Sequence, residues 1–234
     1  DRVDFRVKED GKAQSLVRFG RVTDVPIFAG VVLDTSGSMA EELPEAVRGA
    51  LSFFETVIQP KDRAMVLTFS DQPRLAVPFT NDRSVLAGGL ANLVADGGTV
   101  LHDSLIQALY YFGGLKGKRA LVVLTDGRDE GSRYPFGDAL DYAKRSGVAI
   151  YSIGLALSTR DADQRLKLQR LSAETGGQAY FIQNAGELVG VYKEIEAELR
   201  TQYYLAYQSG GTGDAYRSIS VEMGKPGLEA KTVS

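Results

Sequence analysis

Apolar positions along the chain alternate between two spacings. Residues 27–33, 64–69, 120–124, 148–153 and 179–182 are short runs, mostly without polar alternation, the pattern of strands buried on both faces of a parallel sheet. Helical stripes lie between most of them. Leu43, Val47, Ala50, Leu51, Phe54, Val57 and Ile58 recur at the i, i+4, i+7, i+8 spacing of an amphipathic helix. Leu101, Leu105, Ala108, Leu109 and Phe112 form a second stripe, with Asp103 or Ser104 near its first turn, and Leu188, Tyr192, Ile195 and Leu199 form a third. Gly147 and the pair Gly176-Gly177 fall where left-handed helix ends are wanted. Strands alternating with helices predict a doubly wound α/β sheet, and residues 74–77, after the Asp71-Gln72-Pro73 turn, predict a short antiparallel strand on its edge.

The two ends read differently. Val3, Phe5 and Val7, the Glu9-Asp10-Gly11-Lys12 turn, and residues 16–19 make a hairpin pattern. At the other end, Tyr203, Leu205 and Tyr207, a glycine-rich turn at 210–214, then Ile219, Val221 and Met223 before Pro226-Gly227, suggest two or three half-buried strands. Isolated hairpins are marginal in water, so the terminal strands are expected to pair into a small β unit. The organisation expected is an N-terminal hairpin at 1–21, an α/β domain at 22–202, and C-terminal strands at 203–234 that pair with the hairpin.

A length of 234 residues with 44% hydrophobic content suits one good-sized core with a small appendage. The net charge of −3, with Lys and Arg dispersed, offers no basic stripe for nucleic acid. No apolar run is long enough to span a bilayer. The absence of cysteine excludes disulfides, thiolate metal sites and cysteine nucleophiles. Because the chain begins at Asp1 and enters at once into an alternating pattern, a signal peptide or upstream domain is expected to have been removed.

The chemistry concentrates at the carboxyl ends of the predicted strands, where open α/β sheets bind ligands. Asp34, Ser36 and Ser38 follow the first apolar run on a tight loop and offer one carboxylate and two hydroxyls to a hard cation. Thr99, after Gly97-Gly98, and Asp126, in Thr125-Asp126-Gly127, supply two more oxygens from other loops. Two carboxylates would roughly balance a divalent ion. Three neutral hydroxyls would leave it electron-poor and open to another oxygen anion.

Taken together, Asp34-x-Ser36-x-Ser38, Thr99 and Asp126 resemble the metal-ion-dependent adhesion site of von Willebrand factor type A domains, with all five positions matched over residues 25–202. The resemblance implies a six-stranded, Rossmann-like, mostly parallel sheet carrying Mg²⁺ at its top, with Mn²⁺ or Ca²⁺ as substitutes. It implies direct coordination by the serines and sometimes the threonine, the aspartates acting partly through water. The implied partner is a protein presenting an Asp or Glu. Displacement of the last helix, residues 188–199, is a possible coupled motion. The end segments, Asp4-Phe5-x-Val7-x-Glu9-Asp10-Gly11-Lys12-x-Gln14 and 203–221, are similar to a group of bacterial relatives mostly regarded as exported, which implies a secreted, periplasmic or cell-surface location.

Simpler readings exist for each residue. Ser36, Ser38 or Thr99 could cap a helix, and Asp126-Gly127 could be an ordinary turn. His102 is expected to pack at the rim, Asp129 and Glu130 to be solvated loop charges, Asp103 to start a helix and Asp96 to sit in a turn. Tyr203, Tyr204 and Tyr207 read as strand residues rather than a binding ledge. Three functions compete: a metal-dependent adhesion module, an assembly subunit with a metal-stabilised fold, and a Mg²⁺-dependent phosphohydrolase. The last needs a second acid two residues after the nucleophilic aspartate, and position 36 is Ser.

Overall fold

The computed structural model describes residues 4–21, 25–210, 217–225, 227 and 230. The chain begins with β1 (Phe5–Glu9), β2 (Lys12–Gln14) and β3 (Leu16–Arg21), then enters the α/β body at β4 (Ile27–Asp34). There follow α1 (Leu43–Val57), β5 (Arg63–Phe69), β6 (Pro73–Thr80), α2 (Arg83–Leu90), α3 (Leu101–Tyr110) and β7 (Lys118–Thr125). The body closes with α4 (Phe136–Ser146), β8 (Ala149–Leu155), α5 (Ala162–Ala173), β9 (Ala179–Ile182) and α6 (Leu188–Arg200). Strands β10 (Tyr203–Tyr207) and β11 (Ile219–Met223) come last.

Six strands form the central sheet in the order β6-β5-β4-β7-β8-β9. All pairings are parallel except that of β6 with β5, so the expected antiparallel edge strand is present and runs longer than residues 74–77. Neighbouring residues of β4 point to opposite faces. Val31 and Leu33 pack with α1, α2 and α6, while Val32 packs with α3, α4 and α5. With both faces covered, strand residues are apolar without alternation, which is why these runs were readable. The chain leaves β4 toward β5 on one side and reaches β7 on the other. The sheet's strand order therefore reverses at β4, and a crevice opens at its carboxyl end.

Helix α2 escapes the periodicity reading because two of its eight residues are Gly88 and Gly89. A Cβ on Gly89 would lie 2.0 Å from Val77 Cγ2, so the glycine lets α2 seat closely on β6. The start of α2 is marked by Asp82, whose carboxylate accepts Ser84 N–H and Val85 N–H. Helix α3 ends at Tyr110, short of Phe112, and turns follow through Gly114. Gly147 is left-handed (φ 63), as is Gly176 (φ 80), but Gly177 is not. Its glycine has another cause: a Cβ there would lie 2.0 Å from the Ile150 carbonyl oxygen.

The expected N-terminal hairpin needs correction. Strand β1 turns through Asp10 (φ 47) and Gly11 (φ 77) into β2, a two-residue loop with both residues left-handed. Residues 16–19 do not pair with β1, because β2 occupies one of its edges and β11 the other. They belong to β3, which pairs antiparallel with β10. Phe5, Phe19 and Tyr203, with ring centroids 5.4 Å apart, join the two small sheets. Val3, most of the 210–214 turn and Pro226 lie outside the described residues.

Where α6 runs into β10 its end is clasped. Lys118 Nζ donates to Leu199 O at 2.7 Å, and Arg200 pairs with the fully buried Asp62 at 2.9 Å. Asp62 also accepts the Ile27 N–H that opens β4.

The glycine assignments separate in a thermal unfolding test. Gly177→Ala forces backbone atoms apart and is expected to cost about 3 kcal/mol, lowering Tm by roughly 6–12 °C. Gly176→Ala is expected to cost only the left-handed penalty, about 1 kcal/mol. Equal losses, or the reverse order, would contradict the packing assigned to Gly177.

Candidate functional site

Asp34 is the last residue of β4 and is fully buried. One of its oxygens accepts Ser36 N–H at 2.9 Å, and the other accepts the Thr125 hydroxyl at 2.6 Å. Burial is the largest influence and pushes its carboxyl up to about 6, against the opposing effect of those two hydrogen bonds. Thr125 ends β7 and also receives Gly127 N–H, so one hydroxyl ties the ends of β4 and β7 together.

The chain then turns through a short 3₁₀ segment, Gly37–Ala40, placing Ser36 Oγ 3.1 Å from Ser38 Oγ. Ser38 Oγ donates to Asp126 Oδ1 at 2.9 Å, joining the loop after β4 to the loop after β7. Asp126 is half-buried, and burial raises its pKa. Neither serine caps a helix: Ser36 makes no side-chain cap bond, and α1 begins after Glu42 with Pro44 in its first turn. The capping alternative therefore leaves both hydroxyls unexplained.

Thr99 comes from a third loop and lies beside Gly127, the neighbour of Asp126. Its side chain is buried, with Oγ1 3.5 Å from the position a Cβ would take on Gly127. Backbone hydrogen bonds hold this loop: Gly37 N–H donates to Gly97 O, Asp96 N–H to Thr35 O, and Val100 N–H to Ser70 O. Gly97 is left-handed (φ 79) and packs against the carboxylate of Asp71, which accepts Gly98 N–H at 2.7 Å. The N-cap position of α3 is Val100, so Thr99 is not its cap.

The structure thus brings Ser36, Ser38 and Asp126 into direct contact, links Asp34 through Ser36 N–H and Thr125, and sets Thr99 beside Gly127. An octahedron with bonds of about 2.1 Å has edges of about 3.0 Å. The 3.1 and 2.9 Å separations fit such edges and are also ordinary hydrogen-bond lengths. Among the described residues, no group of three His, Cys, Asp or Glu side chains is placed to hold a metal, and the five candidate residues carry three hydroxyls and two carboxylates.

Two residues outside the five have larger roles than their sequence suggested. Asp129 is no solvated charge: its carboxylate accepts His102 N–H at 3.1 Å and bonds Ser132, capping α3 from another loop. Asp103 reciprocates by accepting Arg133 N–H and Tyr134 N–H. Thr99 O meanwhile receives Glu130 N–H and Gly131 N–H, so the loop after β7 is stitched to the start of α3 on both sides of the hydroxyl. His102 stands apart from the cluster, with Nδ1 3.2 Å from Tyr134 O and its ring packed on Phe136. Glu130 is exposed.

The profile of the von Willebrand factor type A domain family matches residues 30–194, and the chain belongs to that family. Solved structures of similar fold include a von Willebrand factor type A protein from Catenulispora acidiphila. It is 18% identical with a TM-score of 0.66, and the match covers 84% of this chain and 50% of that one. The vWF domain of the type V pili tip protein Mfa5 from Porphyromonas gingivalis is 14% identical with a TM-score of 0.63, covering 74% and 94%. The PilB minor pilin from Streptococcus sanguinis is 14% identical with a TM-score of 0.60, covering 77% and 62%. At these identities the likeness shows the fold. This chain spans only half of the first protein and under two thirds of the pilin.

The raised Asp34 has a pH consequence for the metal-free protein. A carboxyl whose pKa rises from 3.8 unfolded to about 6 folded stabilises fully below the lower value and loses that contribution as pH climbs through 6. The loss is on the order of 3 kcal/mol. In EDTA, the Tm of wild type relative to Asp34→Asn is therefore expected to fall by several degrees between pH 5 and pH 7.5. Parallel profiles would show that Asp34 ionises freely.

Proposed function

We propose that this chain is a metal-dependent protein-binding module whose site takes Mg²⁺, with Mn²⁺ or Ca²⁺ as substitutes. Ser36 and Ser38 hold the ion with Thr99, while Asp34 and Asp126 supply the balancing charge. When bound, the ion offers a Lewis-acidic position that an Asp or Glu oxygen of the partner fills. The observation that carries this reading is the contact of Ser36 Oγ, Ser38 Oγ and Asp126 Oδ1 at the carboxyl end of β4, none of them used for capping. The carboxylates add motive: burial raises both pKa values, so a nearby cation relieves a cost already present.

This chain's own residues do the positioning. Thr125 fixes the Asp34 carboxylate, Asp71 fixes the Gly97-Gly98 turn ahead of Thr99, and the Asp129 and Asp103 stitches hold the loop that carries Asp126. The reading is non-enzymatic. Among solved neighbours are a pilus tip protein and a minor pilin, which favours a secreted, periplasmic or cell-surface adhesive role. No helix among the described residues is long and apolar enough to cross a membrane.

Thermal unfolding tests the ion. At a hundredfold excess over Kd, Mg²⁺ is expected to add about 2.7 kcal/mol, or roughly 5–11 °C at this size, over EDTA. Asp126→Ala is expected to show little of that shift. Partner capture that survives both EDTA and Asp126→Ala would instead favour an assembly subunit acting through its terminal strands. Phosphate-ester turnover lost in Asp34→Asn would favour a hydrolase.

A further inference from the structure

At the amino ends of β7 and β8, the opposite end of the strands from the hydroxyl cluster, a cavity of about 330 Å³ opens. Lys118 and Arg119 of β7 line it with Val25, Ala149 and Gln202. Val25 lies just ahead of β4, and Gln202 joins α6 to β10. The cavity therefore sits where the α/β body meets the passages to the terminal strands.

Lys118 is only 9% exposed, and its ammonium donates to a neutral acceptor, Leu199 O, at 2.7 Å. Two of its three donors remain, and no carboxylate among the described residues pairs with it. Asp62, the acid whose charge acts on it, is committed elsewhere: Arg200 pairs with it, and Ile27 N–H and Gln59 N–H donate to it. Burial, followed by the charges of Arg200 and Lys61, holds the Lys118 pKa below the ordinary lysine value. Buried charges are ordinarily paired, so this ammonium lacks a counter-ion that its surroundings call for. The Arg119 guanidinium lies against Gly147, 2.9 Å from the point a Cβ would take there, and makes no hydrogen bond or ion pair among the described residues. The Gln202 amide is likewise without a partner among them.

We propose that this cavity is an oxyanion site, taking a small phosphate dianion, free or at the end of a small monoester, between Lys118 and Arg119. Two cations balance its two charges. The guanidinium offers a planar fork to two phosphate oxygens, the ammonium a point charge to a third, and the Gln202 amide a further donor. Val25 and Ala149 give the organic part of a monoester an apolar surface. With Gln202 on one side and the start of β7 on the other, the bound anion ties the exit from α6 to the sheet. The proposal does not rest on the metal-dependent reading, because none of the residues that line the cavity belongs to the hydroxyl cluster.

The test is thermal unfolding and titration calorimetry of the full 234-residue chain with sodium phosphate against sodium chloride of equal ionic strength. EDTA is present throughout, so that no divalent ion at the hydroxyl cluster recruits the anion. Phosphate is expected to raise the wild-type Tm by several degrees. Arg119→Gln and Lys118→Met are expected to bind phosphate about tenfold to a hundredfold more weakly, the loss of a charged hydrogen bond. Lys118→Met is also expected to keep its Tm in chloride, because it removes a buried charge that has no counter-ion. Phenyl phosphate binding more tightly than inorganic phosphate assigns the site to a monoester, and equal binding assigns it to the free ion; both support the site. A Tm rise of the same size in wild type and both variants is the general effect of an excluded salt and would overturn it. So would wild type that phosphate leaves unshifted.

Discussion

The face of this domain is organised around a carboxylate buried where a sheet would otherwise be apolar. β4 has a parallel neighbour on each side and helices on both faces, so Asp34 at its end has no route to solvent. A charge in that place must be hydrogen-bonded, paired or neutralised. Ser36 N–H and the Thr125 hydroxyl provide the first, and the position of Asp34 then dictates where the loops after β4 and β7 meet. Those two bonds do not outweigh burial, which holds the carboxyl above its ordinary pKa.

Hydroxyls, rather than a cluster of acids, complete the surroundings, and the proposed binding role rests on that composition. Many carboxylates would satisfy a divalent ion and quench its attraction for a further anion. Here Asp34 and Asp126 are the carboxylates in the cluster, and the neighbouring acids are directed elsewhere: Asp71 to Gly98 N–H, Asp129 to His102 N–H, and Asp103 to the backbone at 133–134. These three acids set the loops in place. The clasp at the far end of the sheet, where Lys118, Arg200 and Asp62 grip the last turn of α6, anchors that helix end to the start of β7 and the loop before β5.

Much of the fold was legible because its signals are local. Strands buried on both sides are unbroken apolar runs, and α1, α3 and α6 each carry an apolar stripe, α1 and α6 packing on one face of the sheet and α3 on the other. α2 was not legible, since Gly89 exists for close approach to Val77, a contact distant in sequence. The terminal strands were visible as strands, and the pairing of the two ends is as expected, β11 with β1 and β10 with β3, but the hairpin's second strand was misplaced: nothing in residues 16–19 reveals that β2 and β11 already hold both edges of β1. At the candidate site, motif and spacing named five oxygen-bearing residues, of which the structure brings Ser36, Ser38 and Asp126 into contact. Asp71 and Asp129 were not, because an acid that bonds backbone on another loop looks the same in sequence as one that points into water.

The central claim is that the oxygens after β4 and β7 share one divalent ion with the hydroxyl of Thr99. The direct measurement is an anomalous difference map from crystals of this chain soaked in Mn²⁺, collected at the manganese edge. The account expects one strong peak about 2.1–2.2 Å from Ser36 Oγ and Ser38 Oγ, with the Asp34 and Asp126 carboxylates at direct or water-mediated distance. A map with no peak there, or with its only peaks at surface carboxylates elsewhere, would contradict it.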